Sequence, residues 1–329
     1  IGLVGSEMCI RDRAMQFRLW KRMGMAVGFL PFSTVGYSLS NTSELTKDED
    51  GTVINKTASY AGDGGLQQVF AGVGFKVLDN LSIGANISYI YGDITHSVTT
   101  AFSNSSSFSS VRLDKISIND YKLDFGLQYS YKFNKKHVLN FGAVYSLGHS
   151  VNGKGYKYNQ KWLNGADYPS TQTGDTITNA FSLPHTFGAG LTYVYDNRLT
   201  IGADFTYQQW EDAKFYNEKS YFSNRTKIAA GAEFVPNPYS RNYLKRVRYR
   251  VGGYYSDPYT KVDGQDGTRE YGVSAGFGFP LFQSKSILNI SGQYVRVSPK
   301  VKGMLEENYL KINIGLTFNE RWFMKWKVD

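Results

Sequence analysis

Residues 81–89 read LSIGANISY, and residues 310–318 read LKINIGLTF. In both stretches an apolar side chain occupies every second position, and Ser, Gly, Asn, Lys or Thr fills the positions between. A period of two residues is typical of a β-strand, because successive side chains of a strand point to opposite faces of its sheet. Each stretch is therefore predicted to be a strand with one apolar face and one polar face.

The same alternation recurs along most of the chain and predicts about twelve strands. Their approximate ranges are 27–39, 69–77, 81–91, 123–131, 139–145, 187–193, 201–207, 228–234, 247–255, 273–279, 288–294 and 310–318. In a soluble sandwich the apolar faces would pack together, and the opposite faces would be charged and solvated. Here the second face consists mainly of Gly, Ser, Asn, Gln and Thr, which suits the aqueous interior of a membrane barrel better.

The connections between the predicted strands alternate in length. Short links are predicted at 78–80, 134–136, 196–198, 236–242 and 283–286, and long polar ones at 41–65, 101–113, 152–176, 216–224, 257–267 and 299–307. Short turns on one side and long loops on the other are typical of bacterial outer-membrane barrels. The fold class is therefore predicted to be all-β, an antiparallel up-and-down transmembrane β-barrel in the outer membrane of a Gram-negative bacterium.

Composition removes most other classes of protein. The 329 residues carry a formal charge of +9, but the densest basic cluster, at 241–250, alternates with apolar residues, so nucleic acid is not an expected partner. Cys9 is the only cysteine, which excludes a disulfide scaffold. No apolar run approaches the ~18 residues that a membrane-spanning helix needs.

No catalytic chemistry stands out in the sequence. The four histidines, His96, His137, His149 and His185, are scattered along the chain, and no phosphate-binding loop or redox motif is present. We therefore expect no enzyme activity, no metal site and no cofactor. The acidic segment DGQDGTRE at 263–270 is interpreted as an ordinary outer loop, with a calcium loop as the alternative.

The beginning of the chain differs from the rest. Residues 1–13, IGLVGSEMCIRDR, lack the alternation and are predicted to be a non-native tail that resembles a translated sequencing adaptor. Residues 14–329 are predicted to form the outer-membrane barrel domain. Within it, residues 14–19 are expected to be the end of a preceding strand and residues 20–22 its turn.

Four stretches combine Gly, Pro and aromatic residues in a distinctive way. They are GFLPFSTVGY at 28–37, LSIGANISYIYG at 81–92, IGADFTYQQW at 201–210 and GLTFNERWF at 315–323, together with Leu183, Pro184, Gly188 and Gly190. These stretches resemble the FadL and TodX family of outer-membrane transport proteins for hydrophobic compounds. The resemblance implies a barrel of about fourteen strands with an N-terminal hatch, of which this chain would lack the hatch and the first strands.

The first full strand is predicted to be bulged, because Pro31 cannot donate a hydrogen bond to a neighbouring strand. The resemblance makes this strand the one whose bulge opens the barrel wall sideways, with the lateral-gate candidates Gly28, Pro31, Ser33 and Gly36. A simple bulge, or a sheet edge left by truncation, is the equal alternative.

Six charged residues on the polar faces are predicted to point into the lumen. They are Asp124, Asp204, Glu233, Arg248, Arg250 and Lys311. For all of them except Asp124, mutual structural pairing is favoured over holding a plug or binding a ligand carboxylate. On the opposite face the following apolar residues are predicted to be exposed: Ile83, Ile87, Phe125, Leu127, Phe205, Phe277, Ile312 and Leu316.

The predicted function is passive uptake of hydrophobic or amphipathic compounds, such as long-chain fatty acids. A structural or secretion-accessory barrel and a plain polar porin are the two alternatives. A continuous apolar pocket in the lumen favours the transporter, a wide wet bore favours the porin, and a plugged lumen under an apolar loop patch favours the structural barrel. The expected partners are outer-membrane lipid and a hydrophobic small molecule, with the protein as a monomer.

Overall fold

A computed structural model describes residues 13–47, 51–104, 107–163, 171–178, 181–215, 219, 221–262, 264–281, 286–299 and 306–317. These residues form antiparallel β-structure almost throughout, as the alternation predicts. The strands are β1 Arg13–Trp20, β2 Met23–Lys47, β3 Val53–Lys76, β4 Leu81–Phe102, β5 Phe108–Lys132, β6 His137–Ser146, β7 His149–Val151, β8 Gly153–Leu163, β9 Thr171–Thr178, β10 Phe181–Leu183, β11 Thr186–Tyr195, β12 Leu199–Gln208, β13 Arg225–Phe234, β14 Arg248–Ser256, β15 Lys261–Val262, β16 Gln265–Asp266, β17 Thr268–Pro280, β18 Ile287–Pro299 and β19 Glu307–Thr317.

The main sheet follows the order of the chain. β1 to β6 are successive neighbours, and β11, β12, β13, β14, β17, β18 and β19 continue the sheet. The hairpin of β8 and β9 joins it through β5, while β7 with β10 and β15 with β16 form two small separate sheets. Within the described ranges no ladder joins β1 to β19.

This path contains thirteen strands, where about twelve are predicted. The additional strand is β1, the expected end of a preceding strand, and it pairs with β2 from Arg13 opposite Phe29 to Trp20 opposite Met23. Arg13, the last residue of the predicted tail, is the first residue of β1, because its backbone takes part in this ladder. The tail assignment of residues 1–12 lies outside the described residues.

Three of the predicted long loops are mostly strand. β2 and β3 remain paired to Lys47 opposite Val53, and β4 and β5 remain paired to Thr100 opposite Ser110. The predicted loop at 152–176 contains β8 and part of β9. The prediction was wrong here because Ser-, Thr- and Asn-rich strands with two polar faces carry no apolar alternation, although they pair well outside a bilayer.

The two faces of the sheet have the predicted character. The eight apolar residues expected to be exposed are between 40% and 67% accessible, which excludes a register shifted by one residue. We call their side the outer face. The opposite side, with Asn86, Asp124 and Asp204, is the interior face.

Two 3₁₀ helices complete the described structure, at Trp210–Asp212 and Tyr243–Lys245. The second lies in the link between β13 and β14, which runs from 235 to 247 and is longer than predicted. In the described part of the chain neither helix has the length or the apolar character to cross a bilayer.

Candidate functional site: the interior face

Below the level of the long loops, the interior face forms an open groove. It consists of a cavity of about 620 Å³ against β1–β5 and one of about 700 Å³ against β3–β6, β11 and β12. Both are lined by Gly74, Gly84, Gly126 and Val144, so they are two parts of one groove. Its polar lining includes Asn86, Asp124, Gln128, Asn140, Thr192, Asp204 and Thr206.

Glycine makes room in this groove for the polar side chains of neighbouring strands. Gly190 lies opposite Asp204 in the β11–β12 ladder, and a Cβ at Gly190 would come within 2.4 Å of the Asp204 carboxylate. The carboxylate therefore lies over the glycine backbone. The groove floor is wide and polar because small residues alternate with outward-facing apolar ones.

An apolar cluster lies on the interior face next to the groove, on the side of the long loops. Its buried members are Leu66, Ile90, Ile116, Ile118, Val151 and Leu183, and we call this set the apolar plug. Phe32, Ile94, Ile177, Phe181 and Phe215 pack against it. The interior face therefore has an apolar part on the side of the long loops, formed by the plug, and a polar part below it, formed by the groove and its glycines.

Two residues of the plug come from strands that leave the main sheet. β6 and β11 pair up to Ser146 opposite Thr186, and the chain then continues into β7 and β10, which form a separate two-stranded ladder. At the bend, a Cβ on Gly148 would lie 2.4 Å from the backbone nitrogen of His185, so only glycine fits. This bend allows Val151 and Leu183 to reach the plug.

A polar pair fills the break that the bend leaves beside β5. An Asp120 carboxylate oxygen accepts a hydrogen bond from the backbone N–H of Asn152 at 2.6 Å and lies 3.5 Å from Nε2 of His149. The His149 ring stacks on Tyr121 with the ring centroids 4.7 Å apart. These contacts hold β7 against β5 where the regular ladder is interrupted.

Aromatic residues extend the plug towards the connections of the later strands. Phe181 lies 6.1 Å from Trp210 between ring centroids, and Trp210 lies 5.3 Å from Phe222 and 5.1 Å from Tyr259. We call these four residues the aromatic cap. The cap links the plug to segments that follow β12 and β14.

The bulge predicted near Pro31 is confirmed. The β2–β3 register shifts between Pro31, opposite Gln67, and Ser33, opposite Leu66, and Phe32 packs against the plug. Gly28 lies opposite Phe70, and Gly36 lies opposite Asp63. The β2–β3 ladder continues on both sides of the bulge. Within the described residues the β1–β2 ladder ends at Arg13 opposite Phe29, so Pro31, Ser33 and Gly36 pair only on the β3 side.

The six lumen charges do not form one site. Glu233 pairs with Arg250 at 2.6 Å and Arg248 at 3.1 Å, and Arg250 also donates to Asn289 at 2.7 Å. Asp124 pairs with Lys122 on its own strand and accepts a hydrogen bond from Ser146. The mutual pairing favoured from the sequence is therefore present for Glu233, Arg248 and Arg250, whereas Asp124 pairs with Lys122, which is not one of the six.

The other two lumen charges, Asp204 and Lys311, lie on β12 and β19. Asp204 has no ion-pair partner within the described residues and lines the groove. The Lys311 ammonium lies 5.2 Å from the ring centroid of Tyr309 on its own strand. Asp204 is therefore the groove carboxylate that remains available to a solute.

Sequence reasoning missed the plug, because its members look like ordinary alternating positions or loop residues. Ile90, Ile116 and Ile118 interrupt the polar face of β4 and β5, and this interruption was the available signal. The segments of β7 and β10 are three residues each, too short for a periodic pattern. Among the described residues no group of three metal-ligating side chains occurs.

Comparisons with known proteins agree with this architecture. A Pseudomonas aeruginosa FadL homologue aligns over 88% of this chain and 70% of its own, with 16% identity and a TM-score of 0.53. The Ralstonia pickettii toluene transporter TbuX aligns over 88% and 78%, with 13% identity and a TM-score of 0.56. The Pseudomonas putida toluene transporter TodX aligns over 93% and 80%, with 14% identity and a TM-score of 0.57. The fold resemblance to FadL and TodX proteins is thus confirmed.

Family membership follows from the sequence. The BamG family model matches residues 8–329, and the chain belongs to this family. No curated protein matches the chain.

Proposed function

We propose that this BamG family chain is an outer-membrane channel for the passive uptake of hydrophobic or amphipathic compounds, long-chain fatty acids among them. The observation that supports the proposal most is the order of levels on the interior face. A solute that arrives from the long-loop side meets the aromatic cap, then the apolar plug, then the groove. Such an order suits a molecule that must leave water early on its path.

Burial of apolar surface supplies the driving force for the first step. Each square ångström removed from water contributes about 25 cal/mol, so an alkyl chain gains several kcal/mol when it displaces or joins the plug side chains. In the groove, Asp204 and the amide side chains offer polar partners to a hydroxyl or amide group of the solute. No energy source is required, because the solute moves down its own gradient.

The exit is proposed to lie at the Pro31 bulge. Pro31 has no amide hydrogen, and the adjacent Phe32 contacts the plug, so a displaced plug transmits strain to the weakest part of the wall. Gly28, Ser33 and Gly36 flank this point on the same strand. Replacing Pro31 with Val is expected to lower uptake while leaving insertion intact. If the uptake of this variant equals that of the wild type, the bulge at Pro31 has only a structural role and is not the exit.

The groove itself is tested by a matched pair of adjacent substitutions on β6. Gly142→Trp places a large ring in the groove, because a Cβ at this position meets no atom nearer than 4.0 Å. Ala143→Trp places the same ring on the outer face. We expect the first variant to lose most of the uptake of a labelled fatty acid or toluene in cells without other routes, and the second to retain it. Equal uptake in both would reject the groove as the path.

A structural or secretion-accessory barrel is the second candidate, and the packing of the plug favours it. The plug residues are at most 7% exposed, and this does not suit a plain porin with a wide wet bore. The double variant Ile118→Ala/Leu183→Ala separates the two candidates. If the protein is a channel gated by the plug, cells that carry the double variant should take up more solute than cells with the wild type. If it is a structural barrel, cells with the variant should take up no more than cells that lack the protein.

A further inference from the structure

Positive charge is concentrated at the short-turn end of the sheet. The segments 18–24, 74–83, 130–138, 194–200 and 233–250 surround five described turns, and we call them the basic rim. They contain 13 Lys and Arg residues but only three acidic ones, Asp79, Asp196 and Glu233. This excess of ten is close to the net charge of +9 of the whole chain.

The three acidic residues of the basic rim are already paired. Asp79 contacts Lys76 at 3.3 Å and Arg22 at 4.0 Å, and Asp196 contacts Arg198 at 3.3 Å. Glu233 is shared by two arginines. Six exposed cations have no ion-pair partner among the described residues: Lys21, Lys132, Lys135, Lys136, Arg241 and Lys245.

The opposite end of the sheet is different, because several of its cations are paired with carboxylates and the chain outside the basic rim has no excess of positive charge. Lys115 pairs with Asp93 at 3.0 Å, and Arg112 pairs with Asp114 at 2.8 Å. Arg296 pairs with Glu306 at 2.5 Å. The charge excess therefore belongs to one end of the molecule.

Large apolar side chains lie among the unpaired cations. Trp20, Leu78, Phe133 and Leu244 belong to four different turns of the basic rim and are 57% to 71% exposed. An apolar side chain beside a cation is the combination that binds the interface of a lipid bilayer, with the ring or alkyl group among acyl chains and the cation at a phosphate.

We propose that the basic rim is a docking surface for anionic phospholipid headgroups. The proposal rests on the outer-membrane location of the proposed function, which turns the short turns towards the phospholipid leaflet. Charge complementarity supports this proposal, because each Lys or Arg within a Debye length of an anionic lipid surface contributes to binding. The rim would recruit a shell of such lipids around one end of the barrel.

The test uses the full chain folded in vesicles of phosphatidylcholine alone or mixed with phosphatidylglycerol. Spin-labelled lipids report the association constant of phosphatidylglycerol relative to phosphatidylcholine at the protein boundary. We expect the wild type to prefer phosphatidylglycerol, and Lys135→Gln/Lys136→Gln to shift the measured relative association constant towards one, because each lysine near an anionic lipid surface contributes to binding. High salt should reduce the preference of the wild type.

The matched control removes two exposed lysines from the opposite end, Lys154→Gln/Lys161→Gln, with the same change in net charge. It should keep the wild-type preference. The proposal would be overturned if both double variants lost the lipid preference equally, or if the wild type showed no preference. In the second case an acidic protein surface would be the better partner for the basic rim. Because no transport is measured, a loss of lipid preference is distinguishable from a failure of the uptake proposal.

Discussion

The early and late strands of the main sheet share the alternation of apolar and polar residues but differ in length and in interior packing. β2, β3, β4 and β5 are 25, 24, 22 and 25 residues long, whereas β11, β12, β13 and β14 have 10, 10, 10 and 9. The early strands, with β7 and β10, supply all six buried residues of the plug. The short-strand region is therefore built from regular ladders with an apolar outer face. The apolar plug packs in the interior where the strands are long or interrupted.

Removing one side chain from the plug should show the largest difference between the two regions. Ile90 is 2% exposed, and Ile90→Ala is expected to lower the free energy of unfolding by about 2–5 kcal/mol, because it leaves a cavity among packed neighbours. Ile201→Ala on the outer face of β12 should cost less, since lipid can fill the space. Denaturant unfolding in vesicles measures both. Equal losses would mean that the plug is not packed as a core.

Charge on the outer face should affect the short-strand region nearly as strongly. Phe205→Arg places a cation near the middle of β12 facing lipid, with an expected cost of about 2–4 kcal/mol. Thr206→Arg puts the same group into the groove, where water solvates it, and should cost much less. The same unfolding measurement compares these adjacent sites. A larger loss at Thr206 would reverse the assignment of the two faces.

The bend between the regions should tolerate no added side chain. Gly148→Ala brings a Cβ against the backbone of His185, and we expect a loss of about 1–3 kcal/mol together with faster amide exchange in β7 and β10. Gly142→Ala, four residues before the end of β6, is the control because its Cβ would meet no atom nearer than 4.0 Å. Unchanged exchange in Gly148→Ala would show that the bend is not held by this close approach.

The smallest effect is expected from acid on the long hairpins. Asp93 is the thirteenth residue of β4, beyond the roughly ten that cross a bilayer, and hydrogen bonds from Ser117 and Lys115 lower the pKa of its carboxyl. A lowered pKa contributes stability above the unfolded value of 3.8, and this stability is lost as the pH falls through the folded pKa. Because Asp93 is half exposed, a few tenths of a kcal/mol are expected.

Amide exchange of the β4–β5 hairpin between pH 5 and pH 3 checks this last prediction, once corrected for the intrinsic pH dependence of exchange. Protection in the wild type should weaken slightly as the pH falls, while Asp93→Asn should be insensitive to this change. An identical response in both proteins would show that the Asp93 carboxyl does not cause the pH dependence of protection. The control also separates this carboxyl from the many others that titrate in the same range.

The alternation of apolar and polar residues, by itself, determined the class of fold, the two faces and most strand positions. This succeeded because a strand in a bilayer has only two environments, lipid and lumen, and its side chains alternate between them. The bulge at Pro31 was also predictable, since a missing amide hydrogen is a local chemical fact. Mutual pairing among the interior charges was also favoured from the sequence, and Glu233 pairs with Arg250.

Only the tertiary structure decided where the lumen is closed. Val151 and Leu183 reach the plug through a bend that depends on Gly148 and His185 meeting across two strands, and no local pattern encodes that meeting. Whether Ile90 and Ile118 face water or one another depends likewise on the register of β3, β4 and β5. A period of two residues assigns a side chain to a face, but the neighbours it finds there are set by strands distant in sequence.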